Sequence, residues 1–257
     1  MIPLSVVIIT QNEAKNICRC LDAVQGLADE IIVVDSGSTD ETEALCGLYQ
    51  VRFCYHPFEG FMQQKNYAVQ QASNPYILAL DADEVLSPEL FDTIQKVKQN
   101  WVEDAYQMNR LNNYCGQWIR YCGWYPDRKI RLFDRRKASW GVAEIHEKVL
   151  VEKTASIGML EGDLLHYSYN SIEEHVSRSN RYSTQVALAA FKRGKCAPFW
   201  KILYSPLFFF FKKYFIKLGF LDGYYGFVIC MIGSYYNFLK YVKLRDLWRN
   251  SVSGQLK

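Results

Sequence analysis

The stretch Leu78-Ala-Leu-Asp-Ala-Asp-Glu84 joins an apolar run to a cluster of carboxylates. Pro75 to Leu80 has the composition of a strand buried on both faces, so Asp81, Asp83 and Glu84 fall just past its carboxyl end. Ser87-Pro88-Glu89 then opens a helix, with Pro at a first-turn position. The same alternation extends back to the N-terminus. Strands are expected at Leu4–Ile9, Glu30–Val34 and Val51–Tyr55, and helices at Ala14–Val24, Glu41–Leu48 and Gly60–Ala72. Repeated strand–helix units mean parallel strands joined by right-handed crossovers, an α/β fold with a mostly parallel central sheet flanked by helices. From about Asp104 to Tyr169 the pattern changes to short strand-like pieces, and Ser171 to Arg193 is helical.

The chain has 257 residues, 49% hydrophobic and 22% charged, enough for a substantial core. With 15 Gly and 7 Pro it is neither collagen-like nor low-complexity, and a net charge of +3 gives no reason to expect a nucleic-acid partner. The charge is unevenly distributed. Lys192 to Lys257 holds 12 Lys and Arg against 2 Asp and Glu, a net of +10, and leaves −7 for the rest. Phe199 to Tyr241 carries 17 of the 39 aromatic residues. The expected division is a catalytic domain over residues 1–193, with a nucleotide-binding half (1–100) and an acceptor half (101–170), followed by a helical basic-aromatic extension over 194–257. Neither apolar run in that extension supplies the roughly 20 residues of a spanning helix. Tyr and Trp beside Lys and Arg favour the headgroup zone of a membrane surface; the alternative is a subdomain packed on the body.

Leu4–Ile9 is short and lacks a basic leader, so it is expected to be a strand and not a signal peptide. The 8 cysteines form neither a pairing framework nor a zinc pattern. Reduced thiols in a cytoplasmic protein are expected.

Polar residues gather where the strands end. Thr10, Asn12 and Glu13 follow the first strand, Asp35 to Asp40 the second, and Asp81-Ala82-Asp83 the fourth. In an open parallel sheet these ends line one crevice, where ligands bind. Two carboxylates two residues apart suit a hard divalent ion held together with a diphosphate; alone, they are also a common helix-capping turn. Asp35 stands where a carboxylate accepts from a base N–H or a ribose hydroxyl, and Thr39 or Asp40 caps the next helix. The loop has neither G-x-G-x-x-G nor a P-loop, which disfavours dinucleotide and P-loop functions.

Three segments, Ser5-Val-Val-Ile-Ile-Thr-Gln-Asn-Glu13, Ile32-Val-Val-Asp-Ser-Gly-Ser-Thr-Asp40 and Leu78-Ala-Leu-Asp-Ala-Asp-Glu84, resemble the family 2 inverting glycosyltransferases of GT-A fold. Tyr125-Pro-Asp-Arg-Lys-Ile-Arg-Leu-Phe133, Ile145-His-Glu147, His166-Tyr-Ser-Tyr169 and Gly219-Phe-Leu-Asp-Gly-Tyr-Tyr-Gly-Phe227 resemble the lipopolysaccharide core β-1,4-glucosyltransferase subgroup. The resemblance implies a UDP-sugar donor, with UDP-glucose the expected one, and a divalent metal, Mg²⁺ or Mn²⁺. It implies a lipid-linked saccharide acceptor such as lipopolysaccharide inner core, and work at the inner face of the cytoplasmic membrane. It maps Thr10, Asn12, Glu13, Asp35 and Ala82 to the nucleotide-sugar, Asp81 to the ribose region, and Asp83 to the nucleotide-sugar and the metal. Lys65 of Gln-Gln-Lys-Asn stands near the nucleotide, touching phosphate or base, unless it lies on a solvated helix face.

Inverting transfer is one in-line displacement and needs one carboxylate base. The resemblance gives that role to Glu147, with Glu144 and Asp127 as rivals; Glu147 pairing with Arg128 or Lys148 is the structural alternative. His166 is a candidate second metal ligand, better suited to Mn²⁺ than to Mg²⁺. Arg128, Lys129, Arg131 and His146 are diphosphate or acceptor candidates. Alternation puts Lys129 and Arg131 on one face. Three rival functions remain: transfer to a polyprenyl phosphate, a nucleotidyltransferase, and a non-catalytic nucleotide-sugar-binding assembly protein. The sequence carries no signal of oligomeric state.

Overall fold

A computed structural model describes residues 1–143 and 146–252, apart from the side chains at 142, 143, 146 and 252. By density of contacts the chain divides into two units: Met1–Leu111 with Pro126–Tyr167, and Asn112–Tyr125 with Ser168–Lys257. The helix over Ser171 to Arg193 groups with the C-terminal helices in the second unit.

In the first unit the strand–helix alternation is present. Strands β1 (Leu4–Thr10), β2 (Glu30–Asp35), β3 (Arg52–Tyr55) and β4 (Tyr76–Asp81) are separated by α1 (Ile17–Asp22), α2 (Thr42–Cys46) and α3 (Phe61–Gln71). Then follow β5 (Glu84–Leu86), α4 (Pro88–Gln99), β6 (Ala105–Tyr114), β8 (Asp127–Asp134), β9 (Ala138–Ala143), β10 (His146–Val151) and β11 (Ile157–Tyr169). The sheet runs β3-β2-β1-β4-β8-β6-β11-β5. Its first four strands are parallel. From β4 onward β8 and β6 join antiparallel, as β5 does on β11, so the sheet is mixed. β9 and β10 form a separate antiparallel hairpin.

The continuous apolar runs follow from burial on both faces. On β1, Val6 and Ile8 enter one core cluster while Val7 enters the other; on β4, Leu78 and Leu80 oppose Ile77 and Ala79. Ser87 caps α4: its Oγ accepts the Leu90 N–H at 3.2 Å, with Pro88 as the first helical residue. α1 is shorter than the expected Ala14–Val24.

The second unit holds the short β7 (Gln117–Ile119), paired with the end of β6, and the helices α5 (Ile172–Lys192), α6 (Phe199–Phe211) and α7 (Gly223–Val252). Between α6 and α7 lie a π-helical turn, Lys212–Ile216, and a 3₁₀ turn, Gly219–Asp222. β6 and β11 begin in the first unit and end in the second. Ser171 caps α5 by accepting the Glu174 N–H. In the Gly219–Phe227 motif, the buried Asp222 accepts the backbone N–H groups of Arg120 and Tyr121. The eight cysteines are free thiols.

Candidate active site

Strand register brings the expected residues to one edge. Thr10 stands beside Asp35, and Ile9 beside Asp81, because β2, β1 and β4 are parallel and end together. Thr10 is buried, and among the described residues its hydroxyl has no hydrogen-bond partner. A buried, unpaired hydroxyl at a strand end costs stability.

The loop behind it is self-supporting. Asp35 Oδ2 accepts the N–H groups of Gly37 and Ser38, each at 2.8 Å, and Oδ1 accepts the Ser38 hydroxyl. Gly37 has φ +89°, which favours glycine. Three of the roughly four acceptor positions of the Asp35 carboxylate are thus filled within its own turn. Asn12, at φ +55°, accepts the Thr39 N–H and ties the two loops together. Glu13 accepts from the Asn16 amide at 2.6 Å. Asp40 accepts from the Thr42 N–H and hydroxyl just ahead of α2, but the N-cap position is Glu41, whose side chain makes no capping bond, so neither Thr39 nor Asp40 is the N-cap expected.

Past β4 lies a buried charge network. Lys65, from α3, is nearly buried and reaches Asp81 at 2.9 Å, so it lies on no solvated face. Arg131 forks onto Glu84 at 2.7 and 2.9 Å and onto Asp81 at 3.1 Å. Glu84 is fully buried and also binds Arg110 at 3.1 Å. Burial alone would raise the Glu84 carboxyl, but the Arg131 and Arg110 guanidinium groups hold it well below the usual range. Arg131 lies where the β6–β8 register slips: Leu132 faces Tyr106 and Ile130 faces Gln107, so Arg131 is the extra residue of a bulge. That bulge breaks the alternation that put Arg131 with Lys129, and Arg131 faces carboxylates in the interior instead of a diphosphate. Lys129 pairs with Asp127 at 3.0 Å, and Arg128 is exposed.

Asp127 is bound by Arg110 and Lys129, which occupies its carboxylate and weakens it as a rival base. Glu144 and the side chain of His146 lie outside the described residues. Glu147 is half-buried on β10, and among the described residues it makes no ion pair, with Arg128 and Lys148 included. Strand alternation puts it on the face of Val149, which stands opposite Trp140 on β9. Trp140 is held by a double hydrogen bond with Asn66, and its ring lies beneath Lys65 and Arg131 at 4.5 and 5.2 Å. The hairpin carrying Glu147 is thereby fastened to the residues that hold Asp81. Trp140 and Arg110 escaped the sequence reading, and Glu84 was placed in the carboxylate cluster without a role. Glu84 directly follows Asp-Ala-Asp, a signal that was available; Arg110 offered none.

Asp83 Oδ2 lies 3.2 Å from His166 Nε2. The β5–β11 register creates the pairing by setting His166 opposite Glu84. No group of three His, Cys, Asp or Glu gathers among the described residues. An Asp–His pair would suit Mn²⁺ better than Mg²⁺, and either ion would take its remaining ligands from substrate phosphates and water. The donor set fits the ion.

Comparison with known proteins agrees with this arrangement. Glycosyl transferase family 2 matches residues 5–149. An uncharacterized glycosyltransferase, RP128, of Rickettsia prowazekii is 34% identical over 95% of this chain and 87% of its own. The lipopolysaccharide core biosynthesis glycosyltransferase LpsC of Rhizobium meliloti is 32% identical over 95% of this chain and 92% of its own. Among solved structures, S. aureus TarS 1–349 in complex with UDP is similar over 98% of this chain and 92% of that one, at 14% identity and a TM-score of 0.45. The family match over more than half of the chain, with relatives 34% and 32% identical covered over most of their length, shows that the chain belongs to glycosyl transferase family 2 and is a glycosyltransferase.

Proposed function

We propose that the protein transfers glucose from UDP-glucose to a lipid-linked saccharide of the lipopolysaccharide inner-core type, with inversion, at the inner face of the cytoplasmic membrane. The observation that carries the donor site is the Asp83–His166 pair at the same loop as Asp81. The buried Thr10 hydroxyl and the remaining acceptor position of Asp35 meet the nucleoside. Similarity to a core glycosyltransferase over nearly the whole chain supports the acceptor class.

Asp83 and His166 would hold Mg²⁺ or Mn²⁺, which when bound neutralises charge on the departing diphosphate. Lys65 and Arg131 fix Asp81, so its carboxylate is oriented before the donor arrives. Glu147 takes the proton of the acceptor hydroxyl as that oxygen attacks the anomeric carbon from the face opposite the diphosphate. The glycosidic bond forms, the bond to diphosphate breaks, and the proton stays on Glu147.

Calorimetric titration of UDP with and without Mn²⁺ tests the donor site. Metal-dependent binding is expected, and Asp83→Ala removes it. Absence of UDP binding under any metal condition would overturn the donor assignment. Glu147→Gln is expected to retain UDP binding and lose about 10²- to 10⁴-fold in kcat. Unchanged turnover in that variant would point to an acceptor that is already anionic, such as a polyprenyl phosphate.

A further inference from the structure

Helices α6 and α7 carry large apolar residues on their exposed side as well as their buried one. A helix on a water-soluble body turns its apolar stripe inward. Here Trp200, Leu203, Leu207 and Phe211 follow helical spacing along α6 and are exposed, Leu207 to 71% and Trp200 to 63%. On α7, Tyr224, Phe227, Met231 and Phe238 form a second exposed stripe. The inner side mixes apolar residues, Ile202, Ile229, Ile232 and Leu244, with small and polar ones. A Cβ added at Gly233 would meet the Phe209 ring, and one at Gly226 would meet the Gly219 carbonyl. The Ser234 hydroxyl donates to the Pro206 carbonyl at 3.0 Å, and Asn237 is buried. Small residues at the helix contact with large apolar residues outside is the pattern of helices that meet lipid.

Length and charge settle how they meet it. No single helix among the described residues is long and apolar enough to cross a membrane; Phe199–Ile216 and Gly219–Ser251, bent by 73°, satisfy that criterion only as a pair. The 13 residues of α6 are about 20 Å long, against about 30 Å of hydrocarbon. The break between the helices carries Lys212, Lys213 and Lys217, which insertion by the tip would bury in hydrocarbon. The same lysines oppose self-association through this surface, because two copies would bring like charges together. They match the phosphates of an anionic leaflet.

We propose that the α6–α7 arm lies along the surface of an anionic phospholipid leaflet, with the α6 stripe in the headgroup–acyl boundary and Lys212 and Lys217 against lipid phosphates. The inference rests on these helices and holds whatever the donor sugar is. It commits to one geometry: the arm lies on the membrane and does not span it.

The test is flotation of the full chain with phosphatidylcholine vesicles, with and without phosphatidylglycerol. Binding is expected to need phosphatidylglycerol and to weaken with salt. The double variant K212Q/K217Q, at two exposed positions, is expected to bind the anionic vesicles about 25-fold more weakly, at about fivefold per lysine. L207E/F211E is expected to lose binding to the anionic vesicles altogether. Circular dichroism melts check folding, and UDP titration of the same preparations keeps this test separate from the donor site. Failure of the wild type to float with anionic vesicles would overturn the proposal, as would unchanged binding by the lysine variant. A concentration-dependent dimer that L207E/F211E disperses, without vesicle binding, would assign the surface to a second copy instead.

Discussion

Glu84 shows what single residues contribute here beyond the residues that meet substrate. It is a fully buried carboxylate held by two guanidinium groups, and one of them, Arg131, also orients Asp81. Removing one partner of a buried ion pair leaves the other charge uncompensated, which costs about 3–5 kcal/mol. Glu84→Gln is therefore expected to lower stability to urea at pH 7 by that amount. The Glu84 carboxyl is depressed in the folded chain, so its contribution is complete above its ordinary pKa near 4.5 and fades as pH falls further, through the folded value. The gap between wild type and variant should stay constant from pH 7 to about 5 and narrow only in stronger acid. A gap that closes at neutral pH would show that Glu84 is not the charge holding the pair of arginines. The carboxylates of this site were legible in the sequence because they follow strand ends. Their cations were not: Lys65 lies 16 residues before Asp81, and Arg131 lies 50 residues after it. Only the folded sheet brings them together.

Elements with local signals matched their expectation. β1, β2 and β4 were visible as β-branched apolar runs because each is buried on both sides, and α4 was visible from Ser87-Pro88. Ser87 Oγ accepts from the N–H groups of both Leu90 and Asp163, so it caps the helix and also fastens β11 to it. Ser87→Ala is expected to cost about 1–2 kcal/mol, the upper part of the range for a lost cap, read as a shift in the urea midpoint with unchanged slope. A loss well under that would mean that the Asp163 contact carries no energy. What the local pattern could not give was the bulge at Arg131. A single extra residue reverses the side-chain alternation beyond it, and nothing in Lys129-Ile130-Arg131 announces the slip. The antiparallel half of the sheet was equally hidden, since short strands specify their partners only through tertiary packing.

At the scale of the whole chain, composition and contact give different divisions, and the difference can be measured. The shift to basic and aromatic residues near Lys192 suggested a catalytic domain ending at 193, yet α5 packs against α7 within the second unit. Lys243 of α7 donates to the Asn180 carbonyl and to the Ser183 and Thr184 hydroxyls of α5. Ala187 and Leu244 share a small core between these helices, and Trp248 stacks edge-on against Phe191. Composition records where a surface changes its surroundings; it does not record which helices bury each other. A chain truncated after Arg193 would leave the inner face of α5 uncovered, with its apolar residues and unpaired hydroxyls in water. That truncated chain is expected to aggregate or to unfold without a cooperative transition, whereas the full chain melts cooperatively. Far-UV circular dichroism melts and size-exclusion chromatography of the two chains decide it. A soluble, cooperatively folding 1–193 chain that still binds UDP would restore the boundary that composition suggested, and would make α7 an accessory to α5 instead of its partner.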